Sequence, residues 1–128
     1  MSKGFGNITS KKNSTNDNNE KFLVQDIELS SQTKKAIILA KEGKFLESAK
    51  IYNDLISKGK FNHLTLHRLA GVYERLGKRK AAFECLQKAI NFKKNYAEAY
   101  CDIGRYFLDA REIKTALNYF AKALQYNP

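Results

Sequence analysis

Residue types recur along this chain with a period of 34, and no other feature limits its fold so tightly. Gly43 and Gly77 stand 34 residues apart, and Arg111 follows 34 residues later. Five places after each comes a small residue: Ser48, Ala82 and Ala116. Nine places after each comes a large one: Tyr52, Leu86 and Phe120. Seven places before each stand Ala36, Ala70 and Gly104, and four places before stand Leu39, Tyr73 and Phe107. A unit this short cannot enclose a core alone, so successive units must stack and share one.

Within a unit, apolar residues return at three- and four-residue spacing. Leu66, Leu69, Ala70 and Tyr73 precede the second turn, and Ala82, Leu86 and Ala89 follow it. That spacing predicts two amphipathic helices per unit. The small residues allow two helix backbones to approach, and the large ones fill the space beside them. Gly43 and Gly77 suit the left-handed position that ends a helix. The expected helices run over 31–42, 45–58, 62–76, 79–92, 96–109 and 112–126. Asn95 with Glu98 reads as a capping box for the fifth, and Pro128 as a stop signal. The fold class is therefore all-α: a solenoid of three helix–turn–helix units, 29–62, 63–96 and 97–128, with six helices.

The remaining chain differs in character. Residues 1–21 are rich in Asn, Ser, Lys and Gly and lack apolar periodicity, so they are expected to be a disordered tail. Phe22 to Ile27 is apolar and gives 22–28 the character of a lead-in segment. The chain carries a net charge of +10. The tail holds four lysines (Lys3, Lys11, Lys12, Lys21) against Asp17 and Glu20, so most of the charge lies on the repeats. No run of 18 apolar residues is present, so no membrane span is expected. The N-terminus has no apolar signal core, and Cys85 and Cys101 have neither disulfide-framework nor metal-ligand spacing. A cytoplasmic setting with reduced thiols is the expectation.

Motifs that carry chemistry are sparse. His63 and His67 are spaced i, i+4, but no third ligand accompanies them, so no metal site is assigned. Gly4 and Gly6 precede no helix and form no phosphate loop. Asp102 and Asp109 share a helix face without an enclosing pocket. No catalytic residue and no cofactor is nominated, and the chain is not expected to be an enzyme.

The period and its residue types resemble the tetratricopeptide-repeat (TPR) family over residues 29–128. The third unit fits best, through Ala97, Tyr100, Ile103, Gly104, Phe107, Ala116, Phe120, Ala123 and Pro128. Departures are Gln32 and Leu66 at the opening aromatic, Lys60 and Lys94 at the closing proline, and Arg111 at the turn glycine. Lys3-Gly4-Phe5-Gly6 and the following Lys/Asn tract are similar to the start of small cyanobacterial TPR proteins, in which a transferase domain commonly follows the array.

The resemblance implies a right-handed solenoid whose first helices line a concave groove that binds another protein. The helical period then nominates Thr33, Lys34, Ile37 and Lys41 from the first unit as groove residues. The second unit contributes His67, Arg68, Gly71 and Arg75, and the third Glu98, Cys101, Asp102, Arg105 and Asp109. In relatives that hold the acidic C-terminus of heat-shock chaperones, a two-carboxylate clamp uses Lys and Asn at the positions of Thr33 and Ile37. It uses Asn at Arg68, and Lys and Arg at Glu98 and Asp102. None of the five matches, which implies that such tails are not held.

The expected function is a protein-interaction scaffold that binds a peptide or helix of a partner in the groove. Two alternatives are the targeting arm of a longer, transferase-like enzyme and nucleic-acid binding through basic edges. The edge cations, Lys44, Lys78, Arg79, Lys80 and Lys114 among them, sit near turns, and the groove mixes signs, unlike a phosphate track. Finally, Phe83 and Ile90 should be covered by the third unit, whereas their counterparts Leu117 and Leu124 should form an uncapped apolar face to be covered by a self-associating copy, by a further segment of a longer parent protein or by a partner.

Overall fold

The computed structural model describes residues 31–128. The expected tail 1–21, the whole lead-in 22–28 and the first two residues of the first unit therefore lie outside the described residues, as does the opening Lys3–Gly6 motif. Six helices follow one another, with no strand among the described residues: α1 over 31–41, α2 (Phe45–Ser57), α3 (His63–Arg75), α4 (Arg79–Phe92), α5 (Ala97–Asp109) and α6 (Ile113–Tyr126). They form a right-handed α-solenoid. The two helices of each unit pack closely, and α2 and α4 pack in turn on the first helix of the next unit.

The turns explain the phase. Gly43 and Gly77 have φ of 81° and 78°, in the left-handed region where a Cβ is costly. Their amides bond back to Ala40 and Glu74 carbonyls and close α1 and α3. Arg111 takes the same role at φ 66° although it carries a side chain. Arg111→Gly is therefore expected to stabilise the array by about 0.5–1 kcal/mol, part of the relief being lost to a freer unfolded chain. A melting temperature unchanged or lowered in this variant would contradict that account.

The fifth helix starts differently from its sequence reading. Tyr96, not Asn95, is the N-cap of α5, and no side chain caps it. The Tyr96 ring is wedged edge-on against both His63 and His67, and this packing sets where the helix begins. The capping box occurs instead at α3. The Asn62 side chain accepts from the Leu64 and Thr65 amides at 3.0 and 3.2 Å, and Thr65 Oγ1 accepts from the Asn62 amide.

Small residues sit at the helix crossings. Ser48 is fully buried and its hydroxyl donates to the Ala36 carbonyl at 2.8 Å, which measures how closely α1 and α2 approach. Ala70 and Ala82 occupy the same places in the second unit, and both are buried. In the third, Ala116 is buried, and a Cβ on Gly104 would lie 2.6 Å from the Phe120 ring. Gly104 is thus required by the chain's own packing. Phe83 stacks on Tyr106 and meets Phe107 edge-on, so the third unit does cover the second stripe of α4. On α6, Leu117 and Leu124 are 60% and 65% exposed. No helix among the described residues is long and apolar enough to cross a membrane.

Candidate functional site: a groove divided by its own ion pairs

The first helices of the units, α1, α3 and α5, carry the thirteen nominated residues. Five of them surround one cavity of about 440 Å³ between α1 and α3: Ile37, Lys41, Arg68, Gly71 and Arg75. Residues not nominated complete it. Ala40 and Val72 come from α1 and α3, and Phe45 and Tyr52 from α2 close the floor. Tyr52 is the large residue nine places after Gly43. It is core, with 1% of its surface exposed, and it also lines the cavity. The Arg75 guanidinium lies 4.9 Å from the Phe45 ring centroid, a cation–π contact that holds one wall.

The half of the groove toward α5 is tied to itself. Both ring nitrogens of His67 are engaged, Nδ1 with the Tyr96 hydroxyl and Nε2 with Asp102 Oδ2 at 2.6 Å. Arg105 donates to the other oxygen of the same carboxylate. Asp109 accepts from Arg79 of α4 at 2.8 Å. His67, Asp102, Arg105 and Asp109 are therefore partnered within the chain. Burial, with Glu98 and Asp102 next, holds the Tyr96 hydroxyl above the ordinary tyrosine pKa. Burial and then Lys93 push the His63 imidazole below its ordinary range. Among the described residues no three metal-ligating side chains come together, and His67 has no free nitrogen to offer one.

The remaining nominations separate from both clusters. Glu98 and Cys101 line a cavity of about 370 Å³ beside Phe120 and Leu124, between α5 and α6. Lys34 is exposed and outside these cavities. Thr33 is only 7% exposed, so its side chain packs into the array and leaves little for a ligand to touch, contrary to its groove assignment. Cys85 is buried, and burial raises its thiol pKa, which leaves it unreactive.

Stacked helix pairs with a concave, side-chain-lined groove define a repeat scaffold of the α-solenoid class. The chain belongs to the tetratricopeptide-repeat family: the family model for this repeat matches residues 64–96 and 97–128. Among curated proteins it is 28% identical over 87 residues to the Hsp70-Hsp90 organising protein of Plasmodium falciparum. That match takes in 68% of this chain and 34% of the relative, so the chain spans about a third of its length. The same-named protein of isolate 3D7 matches with equal identity, and the chain covers 15% of it. Among solved structures, MamA superposes with a TM-score of 0.72 at 20% identity, over 77% of this chain and 57% of that one. The second TPR of Spaghetti (RPAP3) bound to the HSP90 peptide SRMEEVD has a TM-score of 0.70 at 21% identity, over 81% and 98%. Identities this low establish the shared fold.

Proposed function

We propose that this chain is a protein-interaction scaffold that holds a peptide or helix of a partner protein in its concave groove. The cavity between α1 and α3 carries the reading: it joins apolar residues, Ile37, Ala40, Phe45 and Val72, with the polar Lys41, Arg68 and Arg75. Family membership supports it, as does the HSP90 peptide named with two solved arrays of the same fold. The scaffold acts by binding and not by catalysis, in a cytoplasmic, reducing setting that suits two free thiols. The targeting-arm and nucleic-acid readings have no observation in their favour.

Selection of a random dodecapeptide library against the full chain tests the proposal. Enriched peptides should lose binding to an Arg68→Glu/Arg75→Glu variant that melts like the parent. Peptides that bind both proteins equally, or no enrichment at all, would remove the groove as the site.

A further inference from the structure

The cavity between α1 and α3 has two properties that the fold itself does not explain. The first is charge. Lys41, Arg68 and Arg75 stand around it, and no acidic residue lines it. None of the three forms a salt bridge among the described residues, whereas the groove residues nearer α5 neutralise one another. Three cations within one concave wall repel each other and attract an anion.

The second is Gly71. It lies inside α3, where glycine costs about 1 kcal/mol relative to alanine. Its φ is not positive, and a Cβ built on it meets nothing within 4 Å. Gly104 offers the contrast, since there the chain's own Phe120 excludes a side chain. At Gly71 the space left by the missing Cβ belongs to the cavity and so serves something from outside.

We infer that this cavity receives an internal acidic segment of a partner protein, with one bulky apolar side chain set over Gly71 and flanking carboxylates on Lys41, Arg68 and Arg75. The inference rests on the scaffold reading and narrows it to one ligand chemistry and one place in the groove. The apolar side chain meets Val72 and Phe45, over a floor that the buried Tyr52 completes. The tied half at His67, Asp102 and Arg105 gives such a segment no further anchor, so recognition is confined to the first two units.

The test uses fluorescence anisotropy with the full chain and three labelled nonapeptides, acetylated and amidated at their ends. One has alternating Asp and Glu around a central Leu. The second replaces every acid by its amide, and the third replaces Leu by Gly. The acidic Leu probe is expected to bind with a dissociation constant of about 100 μM, and the other two at least about tenfold more weakly. Arg68→Glu/Arg75→Glu and, separately, Gly71→Leu should each weaken the acidic probe by about tenfold or more. Gly71→Ala should raise the melting temperature by about 4 °C while weakening the probe, since a better helix former fills ligand space. Equal binding of the amide probe, unchanged affinity in Gly71→Leu, or no binding of any probe overturns the inference. If library selection then still returns groove peptides of neutral or basic composition, the scaffold reading survives alone. If it returns none, both fall.

Discussion

Ala82→Leu is expected to destabilise the array by about 1–3 kcal/mol, the range for forcing methylenes into a packed core. Ala82 is 1% exposed and lies on α4, which packs on α3, at the place that Ser48 holds in the first unit. The same crossing in the first unit brings Ser48 Oγ to 2.8 Å from the Ala36 carbonyl, so a leucine there would meet backbone and not a yielding side chain. In the third unit even one carbon on Gly104 would collide with Phe120. For a domain of this size each kcal/mol lowers the melting temperature by about 4–8 °C. Because each unit leans on its neighbours, loss of α3–α4 packing should broaden or split the transition. A melting curve superimposable on the parent's would show that the crossing lies elsewhere and that the phase of the repeat is misassigned.

The fold was legible because its causes are local and repeated three times. Glycine at a left-handed turn, a small residue at a crossing and a large one beside it are each set within a single unit. Every copy of the pattern checks the others. Helix ends were less legible, and α5 shows why. Asn95 and Glu98 have suitable chemistry for a cap, yet the start of α5 is set by Tyr96 packing against His63 and His67 of the preceding unit. Contacts between units outweighed a local signal there. At α3 the box that does form uses Thr65 where the usual pattern has an acid or amide, so its signal was weaker than its structure.

The site was half legible for a related reason. Helical period places residues on a face, and five of the residues it nominates, Ile37, Lys41, Arg68, Gly71 and Arg75, line one cavity. Period does not say which charges on that face find partners. His67 and Asp102 are 35 residues apart in sequence, and their pairing depends on how α3 and α5 sit side by side. Without that pairing the groove reads as a basic stretch followed by a mixed one. With it, the mixed stretch is a closed network and the basic stretch holds three cavity-lining cations that form no salt bridge among the described residues. The floor was missed because Phe45 and Tyr52 lie on α2, and Tyr52 is core and cavity wall at once.

A peptide ending in a free acidic tail, such as SRMEEVD, is expected to bind no more tightly than about 100 μM and to gain nothing from its terminal carboxylate. Against a micromolar clamp that is a loss of about 3 kcal/mol. The clamp positions hold Thr33, Ile37, Arg68, Glu98 and Asp102. Thr33 is buried, and Ile37 is one of the residues lining the α1–α3 cavity, so neither supplies the donor a carboxylate needs. At the α5 end, Glu98 is exposed and acidic, where it repels the incoming terminus. Asp102 already has both oxygens committed, to His67 and to Arg105, and carries the same sign as the ligand. Only Arg68 has the right charge, and it belongs to the cavity nearer α1. Whatever such a tail gains here must therefore come from its internal acids and its methionine, in a register that keeps the terminus away from α5. Calorimetry with the free acid and its C-terminal amide separates the two cases. Equal constants in the high-micromolar range fit the geometry. A low-micromolar constant for the free acid, lost on amidation, would mean that the network around Asp102 opens to form a clamp, and the division of the groove argued from its ion pairs would be wrong.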